Sequence, residues 1–337
     1  MTVKEELEHL EHRRLNPLAA FADQSTGRPR QEEPVEDDVR TCFQRDNDRI
    51  VHSKAFRRLM HKTQVFLRPE GDHYRTRMTH TLEVTRIART MTRALGLNED
   101  LAEAIAMGHD LGHTPFGHAG EAALTDCLGK PFRHNEQSLR VVDYLEKDGM
   151  GLNLTNEVRL GILGHTGDYI PETLEGQVVR RSDQIAYVNH DIDDALRAGI
   201  LKEADVPAEY REVLGDTIRE RLNALIHDIV IHSQGKDDIV MSPEMEKAMR
   251  GMRNFLFENV YHNPLAKREE KKVRHLLQEL YQYYIEHPLE LSEEYLNLMD
   301  EGQEKERVVC DYIAGMTDQY AMQAFADLYI PKAWPVK

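Results

Sequence analysis

Cysteine is scarce in this 337-residue chain: Cys42, Cys127 and Cys310 stand far apart, and no two share a CxxC spacing. That excludes a disulfide framework and a thiolate-rich zinc module, and it fits a reducing cytoplasm. No apolar run approaches the roughly 18 residues of a membrane span. The opening residues, MTVKEELEHLEHRR, lack the apolar core of a secretory signal. A cytoplasmic protein without membrane association is therefore expected. Positive charge is outnumbered, with 43 Lys and Arg against 59 Asp and Glu and a net charge of −16. That argues against nucleic-acid binding through the whole surface, although a local basic patch could survive. Alternating strand patterns are almost absent, and there is neither an internal repeat nor a low-complexity tract.

What remains is an ordinary soluble composition, 40% hydrophobic and 30% charged, written mostly in helical periodicity. Residues 4 to 15 predict a short charged helix, and 22 to 40 an irregular, acidic segment. Between Thr41 and Arg77, nine Lys and Arg face four acids, a candidate anion site or else a solvated helix face. In MTHTLEVTRIARTMTRALG, His80, Val84, Ile87, Met91 and Leu95 share one face, and Gly96 reads as the stop. Asn98 then caps a helix on which Leu101, Ile105 and His109 share a face. A turn around Pro115 and Gly117 follows, with a new helix near Gly120. HNEQSLRVVDYLEKDG, DQIAYVNHDIDDALRAG, KKVRHLLQELYQYYIEHP and KERVVCDYIAGMTDQYAMQAFADLY continue the helical pattern. Loops are expected near 148 to 156, 166 to 177 and 232 to 243, and a short strand pair near 64 to 75. The fold class is all-α.

Chemistry concentrates in the histidines. Seventeen prove nothing by number, but His109, His113, His118 and His134 fall within 26 residues. His109-Asp110 ends one helix, and His80 sits one helix earlier on an inward stripe. A hard divalent cation takes imidazole nitrogen and carboxylate oxygen together on rigid elements. Asp183, in RRSDQIAY, is the best fourth ligand because it opens an apolar helix, with Asp191 as the substitute. A lone His-Asp pair is weak, and His190-Asp191 and His227-Asp228 are others. The run HDLGHTPFGH and the phase of His80 single out the first. Mixed nitrogen and oxygen ligands suggest one divalent ion, Mn²⁺, Mg²⁺ or Fe²⁺.

The runs RTRMTHTLEV, AMGHDLGHTPFGHAGE, FRHNEQS and SDQIAYVNHDIDDA resemble the HD-domain deoxynucleoside triphosphate triphosphohydrolases, the deoxyguanosinetriphosphate triphosphohydrolase-like family. RDNDRIVHSKAFRRLMHKTQVF and CDYIAGMTDQYA resemble it too, so the likeness spans residues 12 to 330. It implies an HD-domain helical bundle with added C-terminal helices: an N-terminal helix and irregular segment over 1–40, an HD catalytic core over 41–200, and a C-terminal helical region over 201–337. It implies metal ligands His80, His109, Asp110 and Asp183, and an α-phosphate contact from Arg77. His113 and His118 would face the phosphates, with Glu121 orienting His118 and His134 a general acid. Gln64, Tyr187 and Asp191 would surround the deoxyribose. Gln184 stands where some relatives have Lys, which puts one phosphate contact in doubt. The implied reaction is attack of water at the α-phosphorus, giving a deoxynucleoside and inorganic triphosphate. A dNTP substrate such as dGTP and a homo-oligomer, tetramer or hexamer, are implied, with regulatory nucleotide binding left open. The rivals are another HD nucleotide phosphohydrolase and a non-catalytic nucleotide or nucleic-acid sensor. The long match outside the metal site opposes the first, and intact His118, Glu121 and His134 oppose the second.

Overall fold

Caps and apolar stripes together decide where the helices run. The computed structural model describes residues 1–33, 38–64, 75–261 and 264–332, and within these the chain forms sixteen α-helices and no strand. α1 (Val3–Arg14) leads through an irregular stretch to α2 (Cys42–Val51) and α3 (Lys54–Arg58). The central helices are α4 (Arg77–Leu95), α5 (Glu99–Gly108), α6 (Gly117–Leu128), α7 (His134–Arg140), α8 (Asn156–Gly164) and α9 (Leu174–Arg197). α10 (Ala208–Leu214), α11 (Ile218–Ser233) and α12 (Pro243–Leu256) follow. The chain closes with α13 (Pro264–Glu286), α14 (Glu293–Asp300), α15 (Lys305–Ala314) and α16 (Asp318–Tyr329). No helix among the described residues is long and apolar enough to cross a membrane.

The stripe His80, Val84, Ile87, Met91 and Leu95 is buried, and Gly96 ends α4 at φ 70°. Asn98 caps α5 by accepting from the N–H groups of Asp100 and Leu101. α4 packs on α5 and α9, and α5 also packs on α2 and α8. These helices share one apolar core, while α6 and α13 to α16 share a second around Leu124, Leu277 and Val309. The strand pair expected near 64 to 75 falls mostly outside the described residues; a single antiparallel bridge joins Thr63 to Thr76.

Two helix starts differ from expectation. α6 begins at Gly117 rather than near Gly120, because Phe116 takes a left-handed conformation and turns the chain early. α9 begins at Leu174, where the Thr173 hydroxyl accepts from the Gly176 N–H, and buried Leu174, Val178 and Val179 supply the stripe. Asp183 therefore lies in mid-helix and does not open it.

Candidate active site

Three rigid elements converge on one point. Thr76 caps α4, which places Arg77 and His80 one turn apart facing inward. α5 delivers His109 and Asp110 just past its last residue, Gly108. That turn is pinned from α7: the Ser138 hydroxyl donates to the His109 carbonyl at 2.7 Å and accepts from the Gly112 N–H at 2.8 Å. A Cβ on Gly112 would stand 2.1 Å from the Ser138 backbone nitrogen, so only glycine allows this approach. α9 brings in Asp183.

The four expected metal ligands meet. His80 Nε2 lies 3.0 Å from Asp183 Oδ1 and 3.9 Å from Asp110 Oδ2. His109 Nε2 lies 3.4 Å from Asp110 Oδ1 and 3.8 Å from Asp183 Oδ1. His109 Nδ1 is bonded to the Ala106 carbonyl at 2.6 Å, which turns Nε2 into the cluster. That nitrogen is buried, on a side chain of 0% exposure, and has no hydrogen-bond partner. A buried unpaired nitrogen costs free energy unless something ligates it. The His80 and His109 imidazoles and the Asp110 carboxylate converge as a donor set for a divalent cation, with the Asp183 carboxylate beside both imidazoles, so the residues fit the metal.

Charge within the cluster is held in place. Burial alone would raise the Asp110 carboxyl, but His109, His113 and Arg77 hold it well below the usual range. Asp183 is likewise lowered against its burial, by the bond to His80 and the charge of His109. Burial opposes the charged form of His80, yet Asp183 and Asp110 raise it. Burial pushes His165 down to about 3, helped by His109 and His134.

A second group shares Asp110. Arg77 Nη1 donates to Asp110 Oδ2 at 2.9 Å, and His113 Nε2 lies 3.2 Å from Asp110 Oδ1. The rings of His113 and His134 stack at 3.9 Å. Glu121 was expected to orient His118, and it does stand 3.3 Å from His118 Nδ1, but its shorter bond, 2.6 Å, is to His134 Nδ1. Despite burial, His118 and His134 hold Glu121 well below its ordinary value, and Glu121 raises His134 in return. His118 is 58% exposed.

A cavity of about 450 Å³ opens over both groups. Its lining includes Gln64, Arg77, His80, Asp110, His113, His118, His134, Asp183 and Tyr187. Asp191, expected at the sugar, is fully buried and off that lining. Eight residues turn a helix about 80° beyond two full turns, which carries Asp191 away from the face of Asp183. The basic segment is mostly spent on structure. Arg45 and Arg49 pair with Glu32, Lys54 with Glu294, and Arg75 with Glu83, Asp193 and Asp194. Of its described cations only Arg77 lines the cavity; Arg68 is outside the described residues.

Other groups at the site carry no motif in the sequence. His165 lies on the cavity wall with Nε2 3.2 Å from His134 Nε2. Met249, Arg250 and Arg253 of α12 close the wall from far along the chain. Buried Lys62 donates to the carbonyls of His113 and Ala314, and Asp318 accepts from the N–H groups of Thr63 at 3.1 Å and Phe116 at 2.9 Å. The α15–α16 corner thus clamps the loop that carries His113. An isolated His, Arg or Asp gives no local signal for such roles.

An HD domain matches residues 77–188, and a phosphohydrolase-associated domain matches 239–327. A deoxyguanosinetriphosphate triphosphohydrolase-like protein of Caldanaerobacter subterraneus subsp. tengcongensis is 54% identical over 334 residues, covering 99% of this chain and 98% of the relative. A protein of the same description from Clostridium perfringens is 50% identical over 341 residues, covering 98% and 99%. A solved phosphohydrolase from Bacteroides thetaiotaomicron aligns at a TM-score of 0.52 with 18% identity, covering 83% of this chain and 67% of that one, a likeness of fold.

Proposed function

The chain belongs to the family of HD-domain deoxyguanosinetriphosphate triphosphohydrolase-like proteins, and from this premise we propose that it hydrolyses deoxynucleoside triphosphates to deoxynucleoside and inorganic triphosphate. One observation carries the reading. The Asp110 carboxylate faces the metal-type cluster through His109 and His80, and faces Arg77 and His113 on the cavity side. A phosphoryl group beside Asp110 would therefore meet both a cation site and a guanidinium.

His80, His109, Asp110 and Asp183 would hold the divalent ion, which supplies Lewis-acid polarisation of a phosphoryl oxygen. The remaining steps belong to the chain. Arg77 offsets negative charge at the α-phosphate. Arg250 and Arg253, on the wall from α12, are exposed guanidinium groups suited to the distal phosphates. Tyr187 packs against the sugar. Water adds to the α-phosphorus as the bond from phosphorus to the 5′-oxygen breaks. His134, kept protonated by Glu121, gives the 5′-oxygen its proton. His118, at the open side beside Glu121, orients and deprotonates the water. The same family membership leads us to expect a homo-oligomer, which sedimentation velocity would measure.

The test is to incubate Mn²⁺-loaded protein with each of the four dNTPs and separate the products by ion-exchange chromatography. Deoxynucleoside and triphosphate in equal amounts are expected. A deoxynucleoside monophosphate with pyrophosphate, or no product from any dNTP, would overturn the proposal.

A further inference from the structure

Behind the cluster, away from the cavity, runs a line of hydrogen bonds. His80 turns Nε2 toward Asp183 and Asp110, so its Nδ1 faces the other way. There Nδ1 meets His190 Nδ1 at 3.2 Å. His190 is buried, and its Nε2 is bonded to the Glu83 carboxylate. Glu83 is in turn 3.3 Å from Arg75 Nε, whose guanidinium also bridges Asp193 and Asp194. α4 supplies both His80 and Glu83, three residues apart on one face. α9 supplies both Asp183 and His190, about two turns apart. The two helices that bring His80 and Asp183 into the cluster therefore also supply Glu83 and His190 behind it.

Counting protons orders this line. A neutral imidazole carries one N–H and one acceptor nitrogen. His80 binding a cation through Nε2 must carry its proton on Nδ1. The partner there is His190 Nδ1, which must then accept. That leaves the His190 proton on Nε2, aimed at Glu83. Every bond then has one donor and one acceptor, and neither imidazole needs a charge. Outer partners of this kind fix the tautomer and ring orientation of a ligating histidine, and their loss typically costs about 10- to 100-fold in metal affinity.

We propose that His190 and Glu83 form a positioning relay that fixes His80 as a metal ligand and so sets the affinity of the site. The inference rests on the metal-site part of the proposed function and is independent of the substrate. It separates His190 from its neighbour Asp191: the His190-Asp191 dipeptide repeats the motif of the ligand pair, but its histidine acts one layer behind.

The experiment is a Mn²⁺ titration of the full-length protein, with free Mn²⁺ counted by electron paramagnetic resonance. His190→Ala should weaken binding about 10- to 100-fold. Glu83→Gln, at a side chain 44% exposed, should fold normally and lose less, about three- to tenfold. In ¹⁵N-histidine spectra of the Zn²⁺-loaded parent, His80 should be protonated at Nδ1 and His190 at Nε2, a pattern that a merely structural role would not require. Mn²⁺ affinity within twofold of the parent in Glu83→Gln and in any folded His190→Ala, or a His190 proton on Nδ1, would overturn the relay. A parent that binds Mn²⁺ yet hydrolyses no dNTP would overturn the proposed activity, while the affinity loss still decides the relay. A parent that binds no Mn²⁺ would overturn the relay together with the metal site.

Discussion

Around His109, imidazoles and carboxylates face one another and leave a buried ring nitrogen with no hydrogen-bond partner; around His134, the imidazole is already bonded to Glu121. The two groups use the same residue types and share Asp110. Each group also keeps one buried ring nitrogen without a hydrogen-bond partner, His109 Nε2 in the first and His113 Nδ1 in the second, and one imidazole bonded to a carboxylate, His80 to Asp183 and His134 to Glu121; what differs is how rigidly each group is held and how open it is. The first is built from side chains that α4, α5 and α9 hold rigidly inside the core. The second sits on the 113–134 segment and reaches His118, which is largely exposed. Imidazoles and carboxylates held rigidly in the core suit a cation, and an imidazole–carboxylate pair at the open side of the cavity suits proton handling.

The largest effect should come from the residue the groups share. Asp110→Asn should lose bound metal and drop turnover to background, more than about a thousandfold, read by elemental analysis and a dNTP assay. Chelation of the parent should do the same while far-ultraviolet circular dichroism keeps most of the helical signal. Full activity in demonstrably metal-free protein would erase the distinction between the groups.

A change confined to the second group should separate metal from chemistry. His134→Gln and His118→Ala should each retain metal and lower kcat, by about 10²–10⁴-fold for a proton-transfer group. Glu121 outweighs burial and raises His134 above the free value of 6.5. The acid form therefore persists to higher pH, and kcat should fall as pH rises through that raised value. His134→Gln should abolish this basic limb. The sign for stability agrees: the bond to Glu121 contributes fully below pH 6.5 and is lost as pH climbs through the folded-state value. Loss of metal from His134→Gln would instead join the two groups into one.

Sugar reading should be a smaller effect and should fall on Gln64 and Tyr187, which line the cavity, and not on Asp191. Leaving a 2′-hydroxyl crowded or unpaired costs about 1–3 kcal/mol, so the parent should prefer dGTP over GTP in kcat/KM by about ten- to a hundredfold. Tyr187→Ala should narrow that ratio. Asp191→Asn should leave the ratio within about twofold while lowering the melting temperature, because Asp191 is buried off the cavity lining. An equal ratio for both nucleotides in the parent would remove the sugar-reading role.

The smallest expected loss concerns the clamp. Asp318→Ala strands the Thr63 and Phe116 N–H groups and should cost about 1–3 kcal/mol of stability, with metal content unchanged. Denaturant unfolding measures the first and elemental analysis the second. Metal loss in folded Asp318→Ala would show that the C-terminal corner also supports the first group.

Local sequence determined most of the scaffold and the identity of the cluster. The stripe from His80 to Leu95, Gly96 as its stop and Asn98 as the next cap are written at helical spacing, and near-neighbour hydrogen bonds enforce them. His80, His109 and Asp110 are legible from helical phase and the HDLGHTPFGH run, whereas Asp183 is legible only through the family resemblance, because Thr173 caps α9 ten residues ahead of it and it does not open the helix. Tertiary structure alone decided the partners. Glu121 bonding His134 more closely than His118, Asp191 turning away from the cavity, and the basic segment spent on Glu32, Glu83 and Glu294 all depend on which side chains packing brings within about 3 Å. So do the cavity wall from α12, the clamp through Lys62 and Asp318, and the His190 line behind His80. Periodicity fixes the face on which a residue lies; it carries no information about the residue that meets it from a helix a hundred positions away.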